Sequence, residues 1–110
     1  MVPEIIRYKI PLAQGSAFEE SYSQAAEILQ QSEECLGYEL VRCVKDRDIY
    51  LLIIRWKSAS AHLEGFRRSG RFPEFFGLVK PFLPNLLEME HYESTPLVWD
   101  RSPSHREAAA

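Results

Sequence analysis

Residues 49 to 56 read Ile-Tyr-Leu-Leu-Ile-Ile-Arg-Trp, and this run decides the fold. As a strand it places Ile49, Leu51 and Ile53 on one face and Tyr50, Leu52, Ile54 and Trp56 on the other. An antiparallel strand with one wet face alternates apolar with polar residues. This one is apolar on both faces. Two covers are therefore expected: the chain's own helices on one side, and a cavity, a second sheet or a second subunit on the other.

Working outward, Lys45-Asp46-Arg47-Asp48 is a polar turn, and Tyr38 to Val44 before it is the preceding strand of an antiparallel hairpin. Further back, Glu4 to Ile10 is a β-branched and aromatic run closed by Pro11, expected to be the first strand. Gln14 and Gly15 read as a turn, and Ser16 with Glu19 as a capping box. Phe18, Tyr22, Ala25, Ala26 and Leu29 then recur at helical spacing, which predicts a one-sided helix over Ala17 to Ser32 that ends before Gly37.

Beyond Trp56, Ser58 reads as the N-cap of a helix with Ala61, His62 and Phe66 in its inner stripe, ended by Ser69-Gly70. A short helix follows from Pro73, with Phe72, Phe75, Phe76 and Val79 on one face, stopped by Pro81 and Pro84. Leu86 to Glu93 alternates Leu87, Met89 and His91 against Glu88, Glu90 and Tyr92, and predicts a fourth strand. From Ser94 the chain has no period. Its exposed-looking Leu97, Val98 and Trp99 are expected to dock, as on a partner subunit.

The element order is β-α-β-β-α-β, an α+β ferredoxin-like arrangement with a four-stranded antiparallel sheet and helices on one face. Residues 1–93 are read as one domain and 94–110 as an extended tail. The uncovered apolar strip is most simply buried by a second copy, so a homodimer is expected.

Composition narrows the chemistry. The net charge of −3 gives no basic footprint for nucleic acid. No apolar run spans a bilayer and the N-terminus has no secretory pattern, so a cytoplasmic location is expected. Cys35 and Cys43 form no CxxC and have no neighbouring histidine, and no Gly-rich phosphate loop occurs. No metal site is expected. What remains is a pocket. The stretch from Trp56 to Phe76 holds four of the six phenylalanines, interrupted by polar and cationic groups in the manner of a small-molecule pocket wall. His62 and His91 are the candidate proton-transfer groups, since a histidine titrates near neutrality. Trp56, Phe66, Phe72, Phe76 and Tyr38 are the candidate substrate contacts. Each also has a plain structural reading: His62 at a helix surface, His91 in a dimer contact, the rings as core, and Arg67, Arg68 and Arg71 as a solvated helix end.

Trp56-Lys57-Ser58, the apolar helix after it, Arg67-Arg68-Ser69, Phe72 and the closing Glu90-His91-Tyr92-Glu93 together resemble the antibiotic biosynthesis monooxygenase (ABM) family of dimeric α+β barrels, over roughly residues 4–93. The resemblance implies a homodimer and a pocket in which a small phenolic, quinol or polyketide-like aromatic is oxygenated by molecular oxygen. It implies no metal, flavin or haem, because the deprotonated substrate itself reduces oxygen. Haem-degrading members of the superfamily use an Asn on the first strand, a Trp on the second helix and a His after it. Here the first strand has no Asn, and Phe66 and Phe76 fall near the other two positions, which argues against haem degradation. The alternative is a non-catalytic ligand-binding or assembly domain on the same barrel.

Overall fold

A computed structural model describes residues 1–101. Strand β1 (Val2–Lys9) leads through a 3₁₀ turn (Leu12–Gln14) into helix α1 (Gly15–Gln30), and the hairpin β2 (Cys35–Arg42) and β3 (Ile49–Trp56) follows. A π-helical segment (Ala61–Phe66), helix α2 (Phe72–Val79) and a 3₁₀ turn (Lys80–Asn85) then lead to β4 (Leu86–His91). The four strands form one antiparallel sheet in the order β2-β3-β1-β4. This is the α+β ferredoxin-like fold that the element order predicts.

The two faces of β3 are unequal. Tyr50, Leu52, Ile54 and Trp56 are all buried beneath the helices, whereas Ile49, Leu51 and Ile53 on the opposite face are only half-buried. On the covered side, Phe18 of α1 stands at the centre of an aromatic cluster. Its ring lies 5.0 Å from Tyr8, 4.8 Å from Tyr50 and 5.1 Å from Phe82. Burying a side chain of this size contributes roughly 1.5–3 kcal/mol, so these rings dominate the packing of α1 on the sheet.

Three local readings are corrected. Helix α1 begins at Gly15, with no side-chain cap, so Ser16 and Glu19 form no capping box. Glu19 is engaged elsewhere: its carboxylate accepts the Tyr50 hydroxyl at 2.5 Å and lies 3.8 Å from Arg42. In β4 the register with β1 shifts between Arg7 and Tyr8, so that Tyr8 pairs with Leu86, Ile6 with Met89 and Glu4 with His91. The bulge turns Leu87 outward, 56% exposed, and Leu86 takes its place beside Met89 and His91. The segment after Ser58 is wound as a π-helix, with the Arg67 N–H donating to the His62 carbonyl five residues back. Ser58 does cap this segment, its hydroxyl accepting the Ala61 N–H at 2.9 Å.

Leu97, Val98 and Trp99 lie on the surface, and the Arg101 guanidinium sits 5.0 Å from the Trp99 ring centre. The remainder of the expected tail, 102–110, lies outside the described residues.

Candidate functional site

Strand alternation puts Glu4, Ile6 and Tyr8 on the covered face of β1. The neighbouring β3 brings Ile54 and Trp56 alongside, and β4 adds Met89 and His91. Over these lies the π-helical segment, whose wider turn directs both His62 and Phe66 inward. At Gly65 the same segment passes close to Glu34, whose Cγ would lie 2.8 Å from a Cβ there. Helix α2 closes the far side with Phe72, Phe75, Phe76 and Val79. Between them is a cavity of about 140 Å³, walled largely by apolar side chains.

Its polar groups gather at two ends. At one end the hydroxyls of Tyr8 and Tyr22 share a hydrogen bond of 2.6 Å. Burial pushes both phenols above their ordinary range, so they stay neutral. At the other end the Trp56 indole N–H donates to Glu4 Oε1 at 3.0 Å, and the His62 ring stacks on the Trp56 ring at 4.3 Å and 10°. His62 Nδ1 lies 2.7 Å from His91 Nε2 and 3.7 Å from Glu4 Oε1. Arg67 completes the lining.

Burial, reinforced by His91 and Arg67, holds His62 down to about pKa 4, so its ring is neutral near pH 7. The 3.7 Å approach to Glu4 is therefore not an ion pair at that pH. Glu4 is 2% exposed, and burial raises its carboxyl above the ordinary value, opposed by the Trp56 hydrogen bond and by electrostatic interaction with His91 and Arg67.

Of the residues singled out from the sequence, His62, Trp56, Phe66, Phe72 and Phe76 line the cavity, and His91 is bonded to His62. Phe66 packs 5.3 Å from Trp56 and 5.9 Å from Phe72, as wall and not as a plug. Tyr38 is not brought to this site. It lies on β2 facing a separate recess beside α1, where its hydroxyl accepts the Gln30 amide at 2.7 Å. Sequence reading missed Glu4 and left Tyr8 and Tyr22 unranked. Arg67, read as part of a basic cluster that either attracts an anionic substrate or forms a solvated helix end, is exposed and also lines the cavity. The signal for Glu4 was present: with Tyr8 and Ile6 inward, strict alternation buries a carboxylate.

Fold and site define a small α+β domain with an aromatic-walled cavity between sheet and helices. The chain belongs to the antibiotic biosynthesis monooxygenase family, whose model matches residues 1–77. It is 29% identical over 93 residues to YczJ, an uncharacterised protein of Bacillus subtilis strain 168, covering 84% of this chain and 98% of that protein. Among solved structures, a candidate antibiotic biosynthesis monooxygenase of Bordetella bronchiseptica superposes with a TM-score of 0.74 at 24% identity, over 86% of this chain and 96% of the other. A mutant form of SnoaB, a cofactor-independent oxygenase of Streptomyces nogalater, also gives 0.74, at 15% identity over 90% and 97% of the two chains. Those two likenesses carry the fold. Among the described residues, no helix is long and apolar enough to cross a membrane.

Proposed function

We propose that this chain is a cofactor-independent monooxygenase acting on a single-ring phenol or quinol. Family membership supports the reaction class, and the size of the cavity narrows the substrate. An apolar cavity of about 150 Å³ holds one benzene ring, and the 140 Å³ here matches that; a tricyclic substrate would require the wall to open.

The observation that carries the mechanism is the 2.7 Å contact between His62 and His91. His62 is buried against the cavity, while His91 is half-buried on the edge strand. In the tautomer with the proton on His62 Nδ1, that N–H donates to His91 Nε2 and leaves His62 Nε2 as an acceptor. A substrate hydroxyl then gives its proton to Nε2 as the Nδ1 proton passes to His91. His62 ends neutral, as its desolvated position favours, and the charge emerges at the surface. Glu4 offsets that charge from the cross-strand position.

The substrate anion reduces oxygen, forming a hydroperoxide at a ring carbon. Loss of water leaves a carbonyl at that carbon, so one oxygen atom enters the product and the other becomes water. Exclusion of bulk water by Phe66, Phe72, Phe75 and Phe76 protects the intermediate.

The reading includes a homodimer assembled through the open sheet face, where Ile5, Val41, Ile49, Leu51, Ile53 and Leu87 form an apolar surface. Sedimentation of the wild type should give a dimer, and Leu51→Glu a monomer. A wild type that stays monomeric at micromolar concentration contradicts that part of the reading. Catalysis is tested by oxygen uptake with a panel of hydroquinones. A rate above the protein-free control, lost in His62→Ala, supports it; no excess rate across the panel refutes it.

A further inference from the structure

Glu4, His62 and His91 come from three elements, and one ligand-capable atom of each falls within 4.8 Å of the other two. We infer that this trio is a binding site for a first-row divalent transition-metal ion, with the ion taking the place of the proton shared by the two rings. The inference does not depend on the oxygenase reading.

Metal–ligand bonds of about 2.1 Å set adjacent ligand atoms roughly 3.0–3.4 Å apart. Two of the three separations, 2.7 Å between His62 Nδ1 and His91 Nε2 and 3.7 Å between His62 Nδ1 and Glu4 Oε1, bracket that spacing, and the Glu4–His91 pair lies within 4.8 Å. Small side-chain adjustments complete the geometry. Two imidazoles and one carboxylate suit zinc, cobalt, iron or nickel ions better than magnesium or calcium, which prefer oxygen. The Trp56 indole N–H holds Glu4 as an outer-shell partner orients a ligating carboxylate. Because Glu4 and His62 both line the cavity, it supplies room for further ligands.

The buried carboxylate is itself an argument. Among the described residues its hydrogen-bond donor is the neutral indole of Trp56. Burying a carboxylate with one neutral hydrogen-bond donor is costly, Arg67 offsets that cost only from a distance, and a cation bound at Glu4 would offset it directly. Arg67 opposes binding, since its positive charge acts on both Glu4 and His62. Proton relay through His62 Nδ1 and metal ligation by the same atom are mutually exclusive, so an occupied site inhibits turnover.

The test is titration of the chelator-treated wild-type chain with Co²⁺, followed by visible d–d absorption and thermal unfolding. One equivalent should bind per chain and raise Tm. Glu4→Gln, which still accepts from Trp56, and His91→Gln should each weaken binding by roughly tenfold or more. Arg67→Gln should tighten it, a result that a merely structural trio would not give. His105→Ala, which alters the one histidine outside the trio, should leave binding unchanged. The inference is overturned if the wild type shows neither a d–d band nor a Tm shift at millimolar Co²⁺. It is equally overturned if binding survives both the Glu4 and His91 changes, or if a thiolate charge-transfer band assigns the ion to Cys35 or Cys43. None of these measurements uses a substrate, so they fail or succeed separately from the oxygenase assay.

Discussion

The two polar ends of the cavity are built on the same strand, four residues apart, yet they differ in chemistry. Tyr8 and Tyr22 satisfy one another through a single 2.6 Å hydrogen bond and burial keeps both protonated. Glu4, His62 and His91 hold a charge-capable carboxylate beside two rings, one buried and one half-buried. A buried polar pair stabilises a structure; a buried pair with an exit to solvent can also move a proton. On the proposed reading, that contrast puts proton transfer at His62 and a purely structural role at the tyrosines.

Substitutions test the contrast directly. His62→Ala should reduce turnover by about 10²–10⁴-fold, the usual worth of a proton-transfer group, while oxygen uptake is measured on protein shown to be folded. His91→Gln should give a smaller loss at low buffer concentration, with partial rescue by added imidazole. Equal losses at the tyrosine end would erase the distinction between the two.

The pH dependence of stability comes next in size. His62 has a folded pKa of about 4 against an ordinary value near 6.5, so the unfolded chain binds its proton first on acidification. Stability is thus fully present above pH 6.5 and declines as pH falls toward 4, by up to about 3 kcal/mol. Glu4, raised by burial, has the opposite slope: its folded form keeps a proton that the unfolded chain has lost, so its contribution falls as pH rises from the ordinary carboxyl value through the raised one. Urea unfolding with chelator present, in the Glu4→Gln background, isolates the histidine. His62→Phe, which keeps the aromatic bulk, should flatten the profile between pH 4 and 6.5.

The smallest effect belongs to the tyrosines. Tyr22→Phe should cost about 1 kcal/mol of stability, the net worth of one hydrogen bond, and change turnover little. A loss of turnover comparable to that of His62→Ala would place a chemical role at this end as well.

Much of the fold was legible because it rests on periodicity. The doubly apolar Ile49–Trp56 run, the stripe from Phe18 to Leu29 and the Pro-bounded helix near Phe75 each fix an element type. Details that depend on tertiary partners were not. The capping box at Ser16 is absent because Tyr50 and Arg42 engage Glu19, and the bulge at Leu87 is set by pairing with β1. The site was half legible for a related reason. Histidines and clustered rings are conspicuous in a sequence, and His62 with Phe66 showed helical spacing. Glu4 was hidden in a run whose β-branched residues dominated its reading, and the 29-residue separation of His62 and His91 gives no local sign of contact. Tyr38, chosen by residue type alone, lies in another recess.

The most direct measurement is oxygen consumption by the chelator-treated chain with a single-ring hydroquinone, compared with His62→Ala. The account predicts protein-dependent uptake of one O₂ per quinol, with one oxygen atom recovered in the ring product and turnover lost in the variant. Uptake no faster than the protein-free control, or undiminished without His62, would contradict it.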